Sequence, residues 1–323
     1  MSRSAFTRRE FVGLVAATAA ATVLLCCFAG QLAAAEEIKP ELKIFMICDM
    51  EGTSGLFERD QTWYKSKGVP KEVGEAGIKL MIDDVNSAVA AALKAGTDRV
   101  IVCDVHGGGG NLRLDQMLTD PRVTYQLHER SFENSVRRWM PGLDASVSGV
   151  MLMGHHAKAG TPHAFLPHTC NTDWLDFSIN GQSVGEIGYE ACYAGHYDVP
   201  VILVHGDEAL GREAEALFPG VVTARVKHAE DDANRATGLD PDAAHKLVAE
   251  KIAEAIKKLQ SPAKPAPFKP TLPLRVAIRM KSATAAENAA KKPGAKLVDP
   301  HTVQCEVERQ GDVIKWLTGD GAP

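Results

Sequence analysis

The chain has 323 residues, of which 45% are hydrophobic and 24% are charged, and its formal net charge at pH 7 is −5. This length and apolar content are enough to bury one large hydrophobic core, or one core and a small second unit. The acidic balance argues against nucleic acid, and against an anionic membrane surface, as the main partner.

Residues 1–35 have the features of an export signal. Arg8 and Arg9 precede a mildly apolar stretch, and an Ala-x-Ala sequence at 33–35 comes just before Glu36. This order is typical of a twin-arginine signal peptide that is cleaved after export. A membrane anchor is the alternative, but the alanine-rich run is short for a span of about 20 residues. We therefore expect a periplasmic or extracellular protein, with no stable membrane insertion once the signal is removed.

Short apolar runs separated by helical patterns predict a parallel sheet. The runs are continuous rather than alternating, which is typical of strands buried on both faces. The predicted elements, in chain order, are strand Lys43–Cys48, helix Glu75–Ala95, strand Arg99–Cys103, strand Gly149–Met153, strand Val199–Val204 and helix Asp207–Phe218. The sequence therefore predicts an α/β fold with an open, mostly parallel sheet flanked by helices.

The remaining elements complete this domain and define a second unit. Asn180-Gly181 predicts a hairpin turn, and Asp240 followed by a proline predicts the start of a helix that ends at Leu259. We predict an α/β domain over residues 36–260 and, because residues 261–273 hold five prolines, a linker there. Beyond it, strands at Arg275–Met280 and Val303–Val307 and helices at Ala283–Lys291 and Asp312–Leu317 predict a small C-terminal α+β unit over residues 274–323.

Residues able to bind a metal follow three of the four predicted strands. Asp49 and Glu51 follow the first strand, His106 follows the second, and His155 and His156 follow the third. In an open parallel sheet, ligands bind outside the carboxyl ends of the strands. Two neighbouring carboxylates are costly unless a positive charge lies between them, and imidazole is a common ligand of zinc and a common general base. We therefore predict a metal site or an acid–base site at this edge.

Each of these residues also has a structural interpretation when it is taken alone. Asp49 and Glu51 could accept backbone hydrogen bonds in the turn at 52–55, and His106 could be a structural histidine. Glu186, which we predict to start a helix, could serve only to interact with the helix dipole. The coincidence of several such residues at one edge favours the site over these alternatives.

The loops around the predicted site hold further candidates. His168 follows a proline and is too far from His156 in sequence to share its strand end, so we expect a loop that returns over the site. The glycines at 107–110 could cradle a phosphate or let a substrate approach closely. Asp104 is placed to hold the imidazole of His106.

Together these motifs resemble those of the DppA-type D-aminopeptidase family. The matching segments are Asp-Met-Glu-Gly-x-Ser-Gly at 49–55, Asp-x-His at 104–106, Gly-x-His-Ala-x-Ala at 154–159, His168 and Val-Gly-Glu-x-Gly at 184–188. They keep the family's order from Lys43 to the end of the chain. The resemblance implies an α/β domain with a small C-terminal unit, two zinc ions, and ring-shaped homo-oligomers in which pentamers stack into decamers.

The resemblance also implies an activity and residue roles. The activity is hydrolysis of the N-terminal peptide bond of short peptides, with an N-terminal D-amino acid such as D-Ala. By matching motif, Asp49 bridges the two metal ions, and His168 corresponds to the catalytic histidine. The remaining metal ligands are Glu51, His106, His156 and Glu186.

The chain departs from the family pattern at His155, where the family can have an aromatic residue, and in the unusually glycine-rich run at 107–110. Two other functions are compatible with the same residues. One is another dinuclear-metal hydrolase, such as a phosphoesterase that uses the glycines to bind phosphate. The other is a non-catalytic exported protein that binds metal or peptide.

Overall fold

The computed structural model describes residues 40–127, 140–231 and 233–318. The predicted signal peptide, residues 1–35, lies outside these ranges, so its assignment stays a prediction. Of the helices in the described ranges, none combines the length and the apolar character that a membrane span requires.

A seven-stranded sheet carries the elements that position the site. Its strand order is β3 (Val123–Gln126), β2 (Arg99–Asp104), β1 (Lys43–Cys48), β4 (Gly149–His155), β7 (Val201–Asp207), β8 (Val222–Ala229) and β9 (Ala236–Gly238). Neighbouring strands are parallel except for β8 and β9, which are antiparallel. The predicted α/β fold with a mostly parallel sheet is confirmed.

Helices cover both faces of this sheet. They are α1 (Arg59–Thr62), α2 (Lys71–Lys94), α3 (Glu186–Gly195), α4 (Glu208–Leu217) and α5 (Pro241–Leu259). Side chains alternate between the faces of a strand, so Ile44 and Met46 of β1 pack in the same cluster as α2 and α5. Phe45 and Ile47 pack in the cluster that contains α3 and α4. Burial on both faces explains why the central strands are continuously apolar.

A second sheet is entirely antiparallel. Its order is β11 (Ala295–Asp299), β12 (Thr302–Val307), β10 (Leu274–Met280), β5 (Trp174–Ile179) and β6 (Gln182–Val184), and the short helices α6 (Ala283–Ala289) and α7 (Lys315–Thr318) accompany it. The predicted hairpin at Asn180-Gly181 joins β5 to β6.

The C-terminal segment is continuous with the main domain. Residues 261–273 contain no helix or strand, in keeping with the predicted linker. Beyond them, however, β10 pairs with β5, which comes from the predicted 36–260 domain. Residues 274–318 therefore do not form a sheet of their own, and the described residues from Leu42 to 318 form one compact unit.

Two element boundaries differ from the prediction in a way that matters for the site. Helix α2 begins at Lys71, four residues before the predicted start, because Pro70 occupies its N-cap position. Strand β4 continues to His155 rather than ending at Met153, although Gly154 has a left-handed φ of 67°. Only the next residue, His156, lies beyond the strand.

Candidate metal centre

The six residues predicted for the site converge at the carboxyl edge of the parallel sheet. Asp49 and Glu51 follow β1, His106 follows β2, His156 follows β4, and Glu186 is the first residue of α3. Four of these five, together with His168, line a pocket of about 640 Å³. The fifth, His156, is buried, and its ring stacks on that of His168 with centroids 3.8 Å apart.

The first group of possible ligands consists of Asp49, Glu51 and His106. His106 Nδ1 lies 2.9 Å from Asp49 Oδ1 and 3.2 Å from Glu51 Oε2. The other ring nitrogen, Nε2, lies 3.1 Å from the carbonyl oxygen of Thr62. Because a carbonyl only accepts, Nε2 carries a hydrogen, and Nδ1, which faces the carboxylates, is the nitrogen that would bind an ion.

The second group consists of Asp49, His156 and Glu186. His156 Nε2 lies 3.5 Å from both Asp49 Oδ2 and Glu186 Oε1. His156 Nδ1 donates to the carbonyl oxygen of Ala157 at 3.0 Å, which leaves the inward nitrogen, Nε2, as the one that would bind an ion. Glu186 Oε1 also accepts the backbone N–H of Cys170 at 2.6 Å, which fixes the carboxylate.

These donor sets fit divalent cations. A metal-binding histidine normally donates its other ring N–H to an acceptor, as both imidazoles do here. Within the described residues, neither His156 Nε2 nor Glu51 Oε2 has a hydrogen-bond partner, although both atoms are buried. The separations of 2.9 to 3.5 Å match the spacing of about 3.3 Å between neighbouring ligands of a tetrahedral zinc with bonds near 2.1 Å. Asp49 belongs to both groups, so it is placed to bridge two ions.

The protonation equilibria show how strongly the site favours positive charge. Burial and the adjacent Glu51 raise the pKa of Asp49. Burial opposes ionisation of Glu51 too, but His106 and His156 outweigh it and hold the pKa of Glu51 well below its usual value. Burial likewise opposes ionisation of Glu186, but the adjacent His156 imidazole brings its pKa to about 2. Burial also disfavours protonated His106 and His156, yet the carboxylates hold the pKa of each well above 6.5.

His168 lies on the outer side of these groups. Its Nδ1 donates to the carbonyl oxygen of Leu166 at 2.9 Å, so Nε2 faces the pocket with a lone pair. This Nε2 is 3.9 Å from both Glu51 Oε1 and Glu186 Oε1, farther than the four histidine–carboxylate contacts of the two ligand groups. His168 also belongs to a third set of possible ligands, with Glu51 and His156, but the two sets that share Asp49 have the shorter contacts. The loop that returns over the site is thus present, and it presents a proton acceptor beside the metal groups.

Comparison with known proteins agrees with the motifs. The family profile described as D-aminopeptidase matches residues 42–318. The chain belongs to the D-aminopeptidase family. A D-aminopeptidase of Bacillus subtilis is 34% identical over 216 residues, which cover 67% of this chain and 74% of that protein. The solved structure of the zinc-dependent D-aminopeptidase DppA from Bacillus subtilis, described as a self-compartmentalizing protease, aligns with a TM-score of 0.76 at 29% identity, over 86% of this chain and 95% of the other. The family and the enzyme class predicted from the sequence are confirmed.

One contact that the sequence predicts is wrong in this member of the D-aminopeptidase family. Asp104 does not hold the imidazole of His106, because its carboxylate accepts the backbone N–H groups of Asn111 and Leu112 and the side-chain amide of Asn111. That amide also donates to the carbonyl oxygen of His106. Asp104 therefore organises the loop after β2, and the Thr62 carbonyl orients the ring instead.

The glycine run shapes the mouth of the pocket. Gly107, Gly108, Gly109 and Gly110 all have positive φ, between 55° and 97°, a conformation that strains residues with a Cβ. Gly107 and Gly108 line the pocket, and a Cβ built on Gly107 would have no atom within 4 Å. On this side the pocket is therefore lined by glycine backbone without side chains. Close approach of a substrate would require such a lining.

Two buried histidines at strand ends do not face the pocket. His155 points away from it, with Nε2 2.8 Å from Glu190 Oε2, and although burial disfavours its protonation, Glu190 raises its pKa to about 9. His205 accepts the backbone N–H of Gly154 at Nδ1 and contacts Ser54 Oγ through Nε2 at 3.3 Å. We assign neither to a metal.

Two residues that support the site were missed in the sequence analysis. Trp63 donates its indole N–H to Glu51 Oε1 at 2.9 Å and lies edge-on to His168. Lys227 is buried, and its ammonium donates to the backbone carbonyl oxygens of Glu51 and Leu56, which fixes the turn after β1. Burial lowers the pKa of Lys227 to about 7. A tryptophan in an irregular segment and a lysine in an alternating strand carry no local signal for either role.

Proposed function

We propose that this chain is a dinuclear zinc aminopeptidase that hydrolyses the N-terminal peptide bond of short peptides with an N-terminal D-amino acid such as D-Ala. The observation that carries the proposal is the pair of ligand groups that share Asp49 at the base of one pocket. Membership of the D-aminopeptidase family supports the reaction, and the zinc dependence of the Bacillus subtilis structure supports the metal.

In this proposal one ion is held by Asp49, Glu51 and His106, and the other by Asp49, His156 and Glu186. Bound divalent cations supply two things to peptide hydrolysis, since they polarise the scissile carbonyl and lower the pKa of water from about 15.7 to roughly 7. The chain's contribution is to hold the carboxylates and imidazoles in place, and each imidazole is oriented by a backbone carbonyl.

His168 is the residue we assign to proton transfer. Its Nε2 carries a lone pair, lies at the pocket wall and is not needed to complete either ligand group. It can accept a proton as the nucleophile forms and return it to the departing amine, the role in which histidine is the commonest side chain. The hydrogen bond to Leu166 and the stacking on His156 keep the ring in the orientation that this role needs.

The phosphoesterase alternative finds no support at the glycine run. A phosphate-binding glycine loop leads into the N-terminus of a helix, whose backbone N–H groups bind the anion. Here the run leads to Asn111 and then to a single 3₁₀ turn at Leu114–Gln116. The carboxylates around the pocket would also repel a phosphate ester that reached it without bound metal.

We also propose that the protein is exported and assembles into homo-oligomers. The twin-arginine pattern in residues 1–35 supports a periplasmic or extracellular location. The description of the Bacillus subtilis structure as self-compartmentalizing supports an oligomer, and decamers are the form that the resemblance implies. An exported enzyme with this activity would encounter D-Ala peptides derived from peptidoglycan.

The test is a screen of stereoisomeric dipeptides and a phosphate ester with metal-free and zinc-reconstituted protein. We expect two zinc ions per chain by elemental analysis, zinc-dependent release of N-terminal D-Ala, slower release of L-Ala, and no hydrolysis of p-nitrophenyl phosphate. Preferential hydrolysis of the phosphate ester would support the other hydrolase class. Tight peptide binding without cleavage would support a binding protein.

A further inference from the structure

A buried pair of side chains runs beside the second ligand group. His155 Nε2 contacts Glu190 Oε2 at 2.8 Å, and both residues are fully buried. His155 is the neighbour of His156 on the chain, and Glu190 lies one helical turn after Glu186 on α3. Residues four apart share a helix face. The contact of His155 with Glu190 and the contact of His156 with Glu186 therefore lie side by side between the end of β4 and α3.

The β4 side of this pair is rigid. The carbonyl oxygen of His155 lies 2.2 Å from where a Cβ on Gly52 would be, and 2.3 Å from where a Cβ on Gly206 would be, so the backbone is packed closely between these two glycines. The His155 ring is fixed at its second nitrogen as well, because Nδ1 donates to the carbonyl oxygen of Met153 at 3.1 Å. Glu190 therefore contacts a donor that has little freedom to move.

On the α3 side the pair is formed by Glu190, whose carboxylate contacts the end of β4 through Oε2. All ten residues of α3 are buried, mostly against apolar neighbours. Apolar packing is non-directional, whereas a hydrogen bond fixes two atoms within a few tenths of an ångström. Within the described residues the second carboxylate oxygen, Glu190 Oε1, has no hydrogen-bond partner, so His155 is the contact that holds this side chain.

Stability alone does not account for such a pair. Desolvation of a buried carboxylate and imidazole offsets most of their attraction, and apolar pairs of similar volume are often as stable or more stable. Both members of this costly polar pair lie near a proposed ligand, since His155 adjoins His156 and Glu190 lies one helical turn from Glu186. This arrangement indicates a role in the site.

We propose that His155 and Glu190 are positioning residues that set the separation of His156 from Glu186 and thereby the affinity for one of the two metal ions. This inference rests on the proposed dinuclear site. It predicts that the pair affects the ion held by Asp49, His156 and Glu186 much more than the ion held on the other side of Asp49.

The test compares His155→Phe/Glu190→Leu with the wild-type protein. The double variant leaves no unpaired buried charge, so we expect it to fold with a midpoint of thermal unfolding near that of the wild type. Zinc and Co²⁺ titrations against a chromophoric chelator should show one ion bound about 10–100-fold more weakly and the other within about threefold. The visible spectrum of the Co²⁺-loaded protein should change for the weakened ion only.

Two further variants keep the test decisive. Glu190→Gln preserves the length and a hydrogen bond to the imidazole, so we expect affinity within about threefold of the wild type. If the double variant does not fold, Glu190→Leu alone replaces it, with the same weakening of one ion expected. Cys192→Ala removes a buried side chain from the same helix without touching the ligands, and we expect both affinities to stay unchanged.

Wild-type affinity for both ions in the double variant would overturn the proposal, as would equal weakening of both ions. A Glu190→Gln protein as weak as the double variant would also overturn it. Failure of the wild-type protein to bind two ions is a different result, because it would remove the dinuclear site on which the inference depends.

Discussion

The sharpest prediction concerns His168, which lies outside the two ligand groups that share Asp49, although it could join Glu51 and His156 in an alternative set of ligands. Its Nε2 lies 3.9 Å from the nearest oxygens of Glu51 and Glu186, whereas contacts within the two groups are 2.9 to 3.5 Å. We therefore expect His168→Ala to bind two zinc ions per chain and to lose activity. A positioned general acid–base contributes about 10²–10⁴-fold, or about 3–5 kcal/mol of activation free energy, so kcat should fall by that factor.

The assay is kcat and KM for a D-Ala dipeptide together with zinc content by elemental analysis. His163→Ala is the matched control, because this exposed histidine lies five residues earlier on the same loop and is not among the residues that line the pocket. We expect the control to keep both its activity and its zinc. Loss of one zinc ion from His168→Ala would refute the reasoning, since it would make this residue a metal ligand.

Three other predictions follow from the same geometry. The pKa of His156 in the folded, metal-free protein lies well above 6.5, so its protonation stabilises the fold below about pH 6.5 and that stabilisation is lost as the pH rises through the folded pKa. Zinc must displace this proton, so the difference in Tm between zinc-loaded and chelated protein should increase from pH 6 to pH 9, and a constant difference would contradict the assigned ligand. Trp63→Phe removes the N–H that Glu51 accepts, at a cost of about 1.5–3 kcal/mol for a hydrogen bond to a charged group, which chelator competition should register as roughly 10–100-fold weaker binding of one ion. Gly52→Ala places a Cβ 2.2 Å from a backbone carbonyl oxygen and should destabilise the protein by about 3 kcal/mol or more in urea unfolding, whereas Gly68→Ala, with φ of 92° but open space, should cost about 1–2 kcal/mol.

The sequence was sufficient for the central strands and for the residues that follow them. Strands β1 and β4 are buried on both faces, so their apolar runs are continuous and easy to recognise. Strand β8 was missed because Thr223, Arg225 and Lys227 interrupt its apolar residues, as expected for a strand nearer the edge of the sheet. The strands that the sequence predicts most clearly, such as β1 and β4, are therefore those buried on both faces of the sheet.

The supporting contacts could not be predicted, because they join residues that are distant in sequence. Thr62 orients His106 from 44 residues away, and Lys227 holds the Glu51 carbonyl from 176 residues away. The error at Asp104 has the same origin, since proximity in sequence indicated a contact that the 3₁₀ turn at His106–Gly108 directs elsewhere. In the same way, the prolines at 261–273 predict a segment without regular structure. They give no indication that the strand after it, β10, pairs with β5.

The register of three strands accounts for the assembly of a dinuclear site from such distant residues. Cys48 is level with Asp104 of β2 and with Met153 of β4, so the residues that follow these three positions lie at the same edge of the sheet. Asp49 comes next on the middle strand, which places its two carboxylate oxygens toward residues from opposite neighbours. A slip of one residue in either pairing would turn alternate side chains to the other face and separate the groups that share Asp49. The buried apolar faces that fix this register therefore also fix the bridging position of Asp49, and the stability of the core and the geometry of the site have a common cause.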